Sequence, residues 1–92
     1  MATVAWVRPM RLRVKFFATY RETTGVKEVS WTATDGATLA DILDAVLSRY
    51  PRLAGHRETM LLAVNHEFAD PSAILADGDE VALLPPVSGG GA

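Results

Sequence analysis

The chain has 92 residues, 49% hydrophobic and 22% charged, with a formal net charge of −2 and no cysteine. That length supplies one domain, near the lower size at which a hydrophobic core holds without staples, and the composition is that of a globular chain. Lacking cysteine, it excludes disulfides, thiolate metal sites, thiol nucleophiles and iron–sulfur ligation, and its mild negative charge argues against nucleic acid as a partner.

Residues 1–9 read as an N-terminal extension with no assigned function, because Met10 opens "MRLRVKFF" as a strand start. In "RLRVKFF", Leu12, Val14 and Phe16 alternate with Arg11, Arg13 and Lys15. That period of two predicts a half-buried strand, with Phe17 the apolar exception on its polar face. "ATYRETTG" reads as a loop or a single helical turn. "VKEVSWT", carrying Val26, Val29 and Trp31, reads as a second strand, paired with the first.

Asp35-Gly36 marks a turn, and Thr38 is an N-cap with Asp41 three positions on. Leu39, Ile42, Leu43, Val46, Leu47 and Tyr50 form one apolar stripe on a helix of about three turns, which Pro51 stops. "PRLAGHRET" reads as a loop. "MLLAVN" is a short, nearly continuous apolar run, expected to be a strand buried on both faces. "NHEFADPSAIL" carries turn residues around a small apolar patch. "ADGDE" is an acidic turn, and "VALLPP" a last strand terminated by its prolines. One helix for four or five strands must cover one face of a single mixed sheet. The expected class is α+β, of β-grasp (ubiquitin-like) architecture: a domain over 10–84 and a tail over 85–92.

Two histidines, His56 and His66, are too few for a histidine-rich metal site. "DGDE" lacks the ligand spacing of a calcium loop and reads as a turn, so no metal is expected. His66 reads as an exposed turn residue and His56 as a loop residue; neither has a partner acid or nucleophile nearby in sequence. Trp6 and Trp31 read as packing residues. No apolar run reaches the roughly 20 residues of a bilayer span, and "MATVAWVRPM" is too short in apolar residues for a secretory signal. A cytoplasmic location with no membrane partner is the expectation.

Two segments resemble a known family, the small subunit of molybdopterin synthase, or molybdopterin-converting factor sulfur carrier. "VKFFATYRE" (Val14–Glu22) is similar to its first strand and following loop, where a double aromatic precedes a spaced Arg-Glu. "DGDEVALLPPVSGG" (Asp77–Gly90) resembles its C-terminal signature, and "LLAVN" stands where the family has its middle strand. The likeness covers about residues 10–90. It implies a carrier, not an enzyme, whose terminal glycine carboxylate is adenylated by a ubiquitin-activating-type enzyme and becomes a thiocarboxylate. A large catalytic synthase subunit then receives the tail, and the sulfur passes to a pterin precursor. The resemblance implies no permanently bound cofactor, with ATP used by the activating enzyme.

The chemistry of the residues agrees. A carboxylate is a poor electrophile until joined to AMP as a mixed anhydride, which a sulfur nucleophile can then open. The chain offers neither base nor nucleophile for this, so its own task is delivery. Six extended residues, Pro85 to Gly90, reach about 20 Å. Gly89 and Gly90 have no Cβ and pass a narrow channel, while Pro85 and Pro86 restrict the arm and lower its ordering cost. Glycine-rich chain ends are commonly just frayed; the preceding "DGDEVALLPPV" is what makes this one specific. The family pattern ends on the second glycine, whereas Gly91 and Ala92 follow here. Trimming after Gly90 by a protease, trimming after Gly91, and use without activation are the three possibilities, and Gly90 is preferred because it aligns with the family end.

The folded body must also dock. Phe17 and Leu84 are expected as an exposed apolar pair on the sheet face opposite the helix, Arg21 as a partner-facing arginine, and Pro85, Pro86 and Val87 as the root of the arm. Two other readings stay open. One keeps the carrier chemistry but sends the sulfur to thiamine, cysteine or tRNA thiolation. The other is a ubiquitin-like protein modifier, which commonly carries residues beyond its Gly-Gly. A β-grasp ferredoxin is excluded by the missing cysteines.

Overall fold

The computed structural model describes residues 9–86. Alternation makes β1 (Pro9–Phe16), in which Met10, Leu12, Val14 and Phe16 are buried while Arg11 and Arg13 stay exposed. β2 (Glu28–Thr34) pairs with it antiparallel, Leu12 opposite Trp31. β3 (Leu61–Val64), β4 (Glu67–Phe68) and β5 (Glu80–Leu84) complete one five-stranded sheet in the order β2-β1-β5-β3-β4. Only β1 and β5 run parallel; the other pairs are antiparallel. The mixed sheet with a helix packed on one face is the β-grasp fold.

That helix, α2 (Leu39–Arg49), starts as its sequence dictates. The Thr38 hydroxyl accepts from Asp41 N–H (3.2 Å) and the Asp41 carboxylate accepts from Thr38 N–H (3.0 Å). This reciprocal pair satisfies two otherwise orphaned donors and stabilises the helix by about 1 kcal/mol. Its stripe of Leu39, Ile42, Leu43, Val46 and Leu47 is buried against the inner sheet face. Among the described residues no helix is long and apolar enough to cross a membrane.

Four local expectations need correction. The segment after β1 is a seven-residue helix, α1 (Ala18–Thr24), rather than a loop or single turn. It is held by Tyr20, 2% exposed, and closed by Gly25, which at φ 75° donates its N–H to the Arg21 carbonyl (2.8 Å). Only glycine takes that left-handed closing geometry at no steric cost. "PRLAGH" is a 3₁₀ segment (Pro51–His56) rather than a loop, pinned by the wholly buried Leu53, and the His56 ring lies 5.5 Å from that of Tyr20. β3 is buried on both faces only at its centre, Leu62 and Ala63, while Leu61 and Val64 at its ends are half-buried. Glu80, assigned above to the acidic turn, is the first residue of β5 and is buried.

The remaining acids of that turn are structural. Asp77 accepts from Arg11 N–H (2.7 Å), and Asp79 accepts from Ala76 N–H and from the Asn65 side-chain amide (both 2.8 Å). Their oxygens are committed to holding the turn against β1 and β3. Among the described residues no group of His, Cys, Asp or Glu could hold a metal ion.

Among the described residues the buried Tyr20 hydroxyl has no hydrogen-bond partner, and burial raises its pKa above the ordinary 10.0. An unpartnered buried hydroxyl costs about 1–3 kcal/mol of desolvation. Tyr20→Phe is therefore expected to be neutral or stabilising by about 1 kcal/mol, as read from chemical denaturation at pH 7. The sign with pH also follows. A folded-state pKa raised above the unfolded one contributes stability below pH 10 that is lost as pH rises through the folded value. The wild-type melting temperature should fall more steeply above pH 10 than that of Tyr20→Phe.

Candidate docking face and the root of the tail

Because partners in register share a face, the sheet surface opposite α2 is readable from the ladders. Arg13 stands beside Glu80 and Lys15 beside Ala82 across the parallel pair; Ala82 faces Ala63 and Leu84 faces Leu61 on β3, and Phe68 faces Ala63 on β4. The Phe17 N–H donates to the Leu83 carbonyl (3.2 Å), which continues the β1 parity and brings its ring to the end of β5.

The result is a depression of about 220 Å³ floored by Ala63, Ala82 and Leu84 and walled by Phe17 and Phe68, with Glu80 and His66 at its polar end. Phe17 is 38% and Phe68 76% exposed. A cluster of large apolar side chains facing water on a monomer marks an interaction surface.

The polar end is an ion-pair cluster. Arg13 Nη2 lies 3.1 Å, Lys15 Nζ 3.4 Å and His66 Nε2 3.6 Å from the Glu80 carboxylate. The Asn65 side-chain carbonyl accepts from Glu80 N–H (3.0 Å), tying the β3–β4 turn to the same residue. Asn65 and His66 both have positive φ (52° and 72°), the geometry that a two-residue hairpin turn requires. A buried carboxylate already engaged by cations anchors the surface; it is not a free base or nucleophile.

Phe17 and Leu84, proposed from sequence as a pair, meet in this depression. Arg21 sits exposed on α1 and does not line it. Pro85 and Pro86 leave directly from Leu84, the first half-buried and the second exposed. Val87, Gly89, Gly90 and Gly91 lie outside the described residues. Sequence reasoning missed Ala63, Ala82, Phe68 and Glu80. "LLAV" shows no alternation that would sort its faces, and the small residues gain meaning only when two strands lay them side by side.

The architecture is that of a ubiquitin-like carrier or modifier body: a β-grasp sheet with an apolar outer depression at the strand from which the C-terminal arm departs. The chain belongs to the ThiS family, which matches residues 14–90. It is 40% identical over 83 residues to the molybdopterin synthase sulfur carrier subunit of Chlamydomonas reinhardtii, covering 88% of this chain and 100% of that one. It is 36% identical over 92 residues to small archaeal modifier protein 3 of Haloferax volcanii, covering 88% and 100%. A solved complex of subunits 1 and 2 of molybdopterin-converting factor from Helicobacter pylori contains a chain that superposes with a TM-score of 0.66 at 30% identity, covering 88% of this chain and 100% of that one.

Proposed function

We propose that this protein is a sulfur carrier that serves molybdopterin synthesis as the small, non-catalytic subunit of a two-subunit synthase. The single observation that carries the reading is positional. The apolar depression and the departing Pro85-Pro86 arm share strand β5, so a partner that covers Leu84 receives the tail at its own active site. The complex of the Helicobacter pylori relative supports such a large-subunit partner.

The chemistry resides at Gly90. Its carboxylate attacks the α-phosphorus of ATP on an adenylating enzyme, releasing pyrophosphate and forming an acyl-adenylate. A sulfur nucleophile opens the C–O bond to AMP, and the acyl-thiolate results. This chain's residues bind, project and present; the base and the sulfur come from partners. Residues after Gly90 are removed first, by a protease, because a Cβ at the activated position obstructs a glycine-shaped channel.

Intact-mass spectrometry of the protein co-expressed with its adenylating enzyme tests this. A chain ending at Gly90 and heavier by the exchange of one oxygen for one sulfur is expected. An unmodified chain retaining Ala92 would sink the proposal.

A second reading is favoured by the archaeal modifier relative: the same acyl-adenylate captured by a lysine amine instead of sulfur. Conjugates that survive thiol reagents would identify it.

A further inference from the structure

The two edges of the sheet are built differently. β4 is two residues long, too short to template another strand. β2 runs for seven residues, "EVSWTAT", with no proline, no lysine, no break in its pairing with β1, and one charge, at its first position. Edge strands are ordinarily blunted by shortness, lysine, proline or bulges; β2 has none of these, and among the described residues no strand pairs with its outer side.

Its outward main-chain groups follow from the β1 ladder. The Phe16 N–H donates to the Lys27 carbonyl (3.0 Å), and bonded pairs alternate along an antiparallel ladder, so Val29, Trp31 and Ala33 point their backbone groups at β1. Ser30 and Thr32 therefore turn both N–H and C=O outward from the sheet. Glu28 adds its carbonyl and Thr34 its N–H; the Thr34 carbonyl already accepts from the Ala37 N–H (3.1 Å).

These groups are self-complementary about Trp31. In an antiparallel pairing of two copies centred there, Ser30 stands opposite Thr32, Glu28 opposite Thr34 and Lys27 opposite Asp35, each match occurring twice by symmetry. Each copy then donates three main-chain bonds, from the N–H groups of Ser30, Thr32 and Thr34 to the carbonyls of Thr32, Ser30 and Glu28 in the other. The ends match in charge. Lys27 and Asp35 are exposed and have no ion-pair partner among the described residues. Glu28, whose carboxylate lies 4.0 Å from Arg13 Nη1, meets a neutral threonine. Moving the centre to Ser30 or Thr32 sets Lys27 against Ala33 or Ala37 and loses the match.

The side chains also fit. α2 leaves Val29, Trp31 and Ala33 only half-covered. Beside β2 it leaves a groove of about 430 Å³, with Ala33, Ala37, Ile42 and Ala45 as apolar lining and Asp35 and Asp41 as its acids. The pairing lays Val29 of one copy beside Ala33 of the other, large against small, with Lys27 beyond it toward those acids. The two Trp31 side chains oppose each other at a pair without main-chain bonds, where side chains come closest. Against this stand the two Arg49 guanidiniums, each 5.7 Å from the centroid of its own Trp31 ring, which bring like charge toward the axis.

We propose that β2 is the interface of a symmetric homodimer, in which two copies join edge to edge and their sheets become continuous. Main-chain bonds supply affinity, and the Lys27–Asp35 pairs fix the register. So short a contact belongs with small, transient interfaces, and a dissociation constant of about tens of micromolar is expected. The inference does not depend on the sulfur-carrier reading. The outer depression lies beyond β1 from this edge, so it stays open in both copies, and the two-fold axis points the two β5 strands in opposite directions.

Sedimentation equilibrium of the full-length protein tests this, with amide NMR over the same concentrations. The mass is expected to rise from one chain toward two, with concentration-dependent shifts at Ser30, Thr32 and Thr34. Lys27→Asp and Asp35→Lys, both at exposed positions, should each weaken the dimer about tenfold, because each turns two attractions into repulsions. The double variant Lys27→Asp/Asp35→Lys restores the opposite charges and should return the affinity to within about threefold of wild type. The proposal is overturned by the mass of one chain at every concentration, by a dimer that neither single reversal weakens, or by a double variant as weak as the singles. Concentration-dependent shifts confined to the outer depression also overturn it, since the copies then meet through that face.

Discussion

If the proposed carrier role holds, Leu84→Glu is expected to weaken binding to the large synthase subunit about 100-fold or more, while the protein stays folded. Leu84 floors the outer depression between Phe17 and Ala82 and is the last residue before the arm. A buried apolar anchor at the centre of an interface typically contributes about 2–4 kcal/mol, and each 1.4 kcal/mol is a factor of ten. The glutamate also places a second carboxylate in a depression that already contains Glu80, and a partner covering it would strand that charge without water. Folding tolerates the change because Leu84 is only half-buried, at a strand end. Calorimetric titration of the large subunit checks the affinity and circular dichroism checks the fold. Wild-type affinity in a folded Leu84→Glu protein would move the docking surface elsewhere.

The second large effect falls one residue from the docking surface. Phe16→Ala is expected to cost about 3–5 kcal/mol, read as a drop in the urea midpoint at unchanged slope. Phe16 is 1% exposed, and its ring meets Tyr50 edge-to-face at 5.1 Å. For a domain whose total stability is about 5–15 kcal/mol, such a loss leaves a large unfolded fraction. Phe17→Ala, by contrast, is expected to cost under about 1 kcal/mol of stability, because its ring is 38% exposed, yet about tenfold or more in partner affinity. Equal losses of stability in the two variants would contradict this division of labour between adjacent phenylalanines.

That adjacent pair marks what was legible without a structure. The alternation through Arg11–Phe16 determined which β1 side chains enter the core, because strand periodicity is local and strict. The Thr38–Asp41 cap, the stripe from Leu39 to Leu47 and the stop at Pro51 determined α2 for the same reason, and the ending "PPVSGG" was readable as a motif. α1 was not legible: in so short a segment no apolar stripe repeats, and what holds it is tertiary, the burial of Tyr20 against the rest of the core. Glu80 looked like one more acid in a turn. Only the parallel register of β1 with β5, joining residues 67 apart in the chain, sets it against Arg13 and Lys15. The same holds for Ala63, Ala82 and Phe68, whose faces are assigned by strand partners and not by neighbours in sequence. Local periodicity thus determined the elements and the inner face. Strand order and register, which depend on contacts between distant segments, decided the outer face, the root of the tail and the free edge of β2.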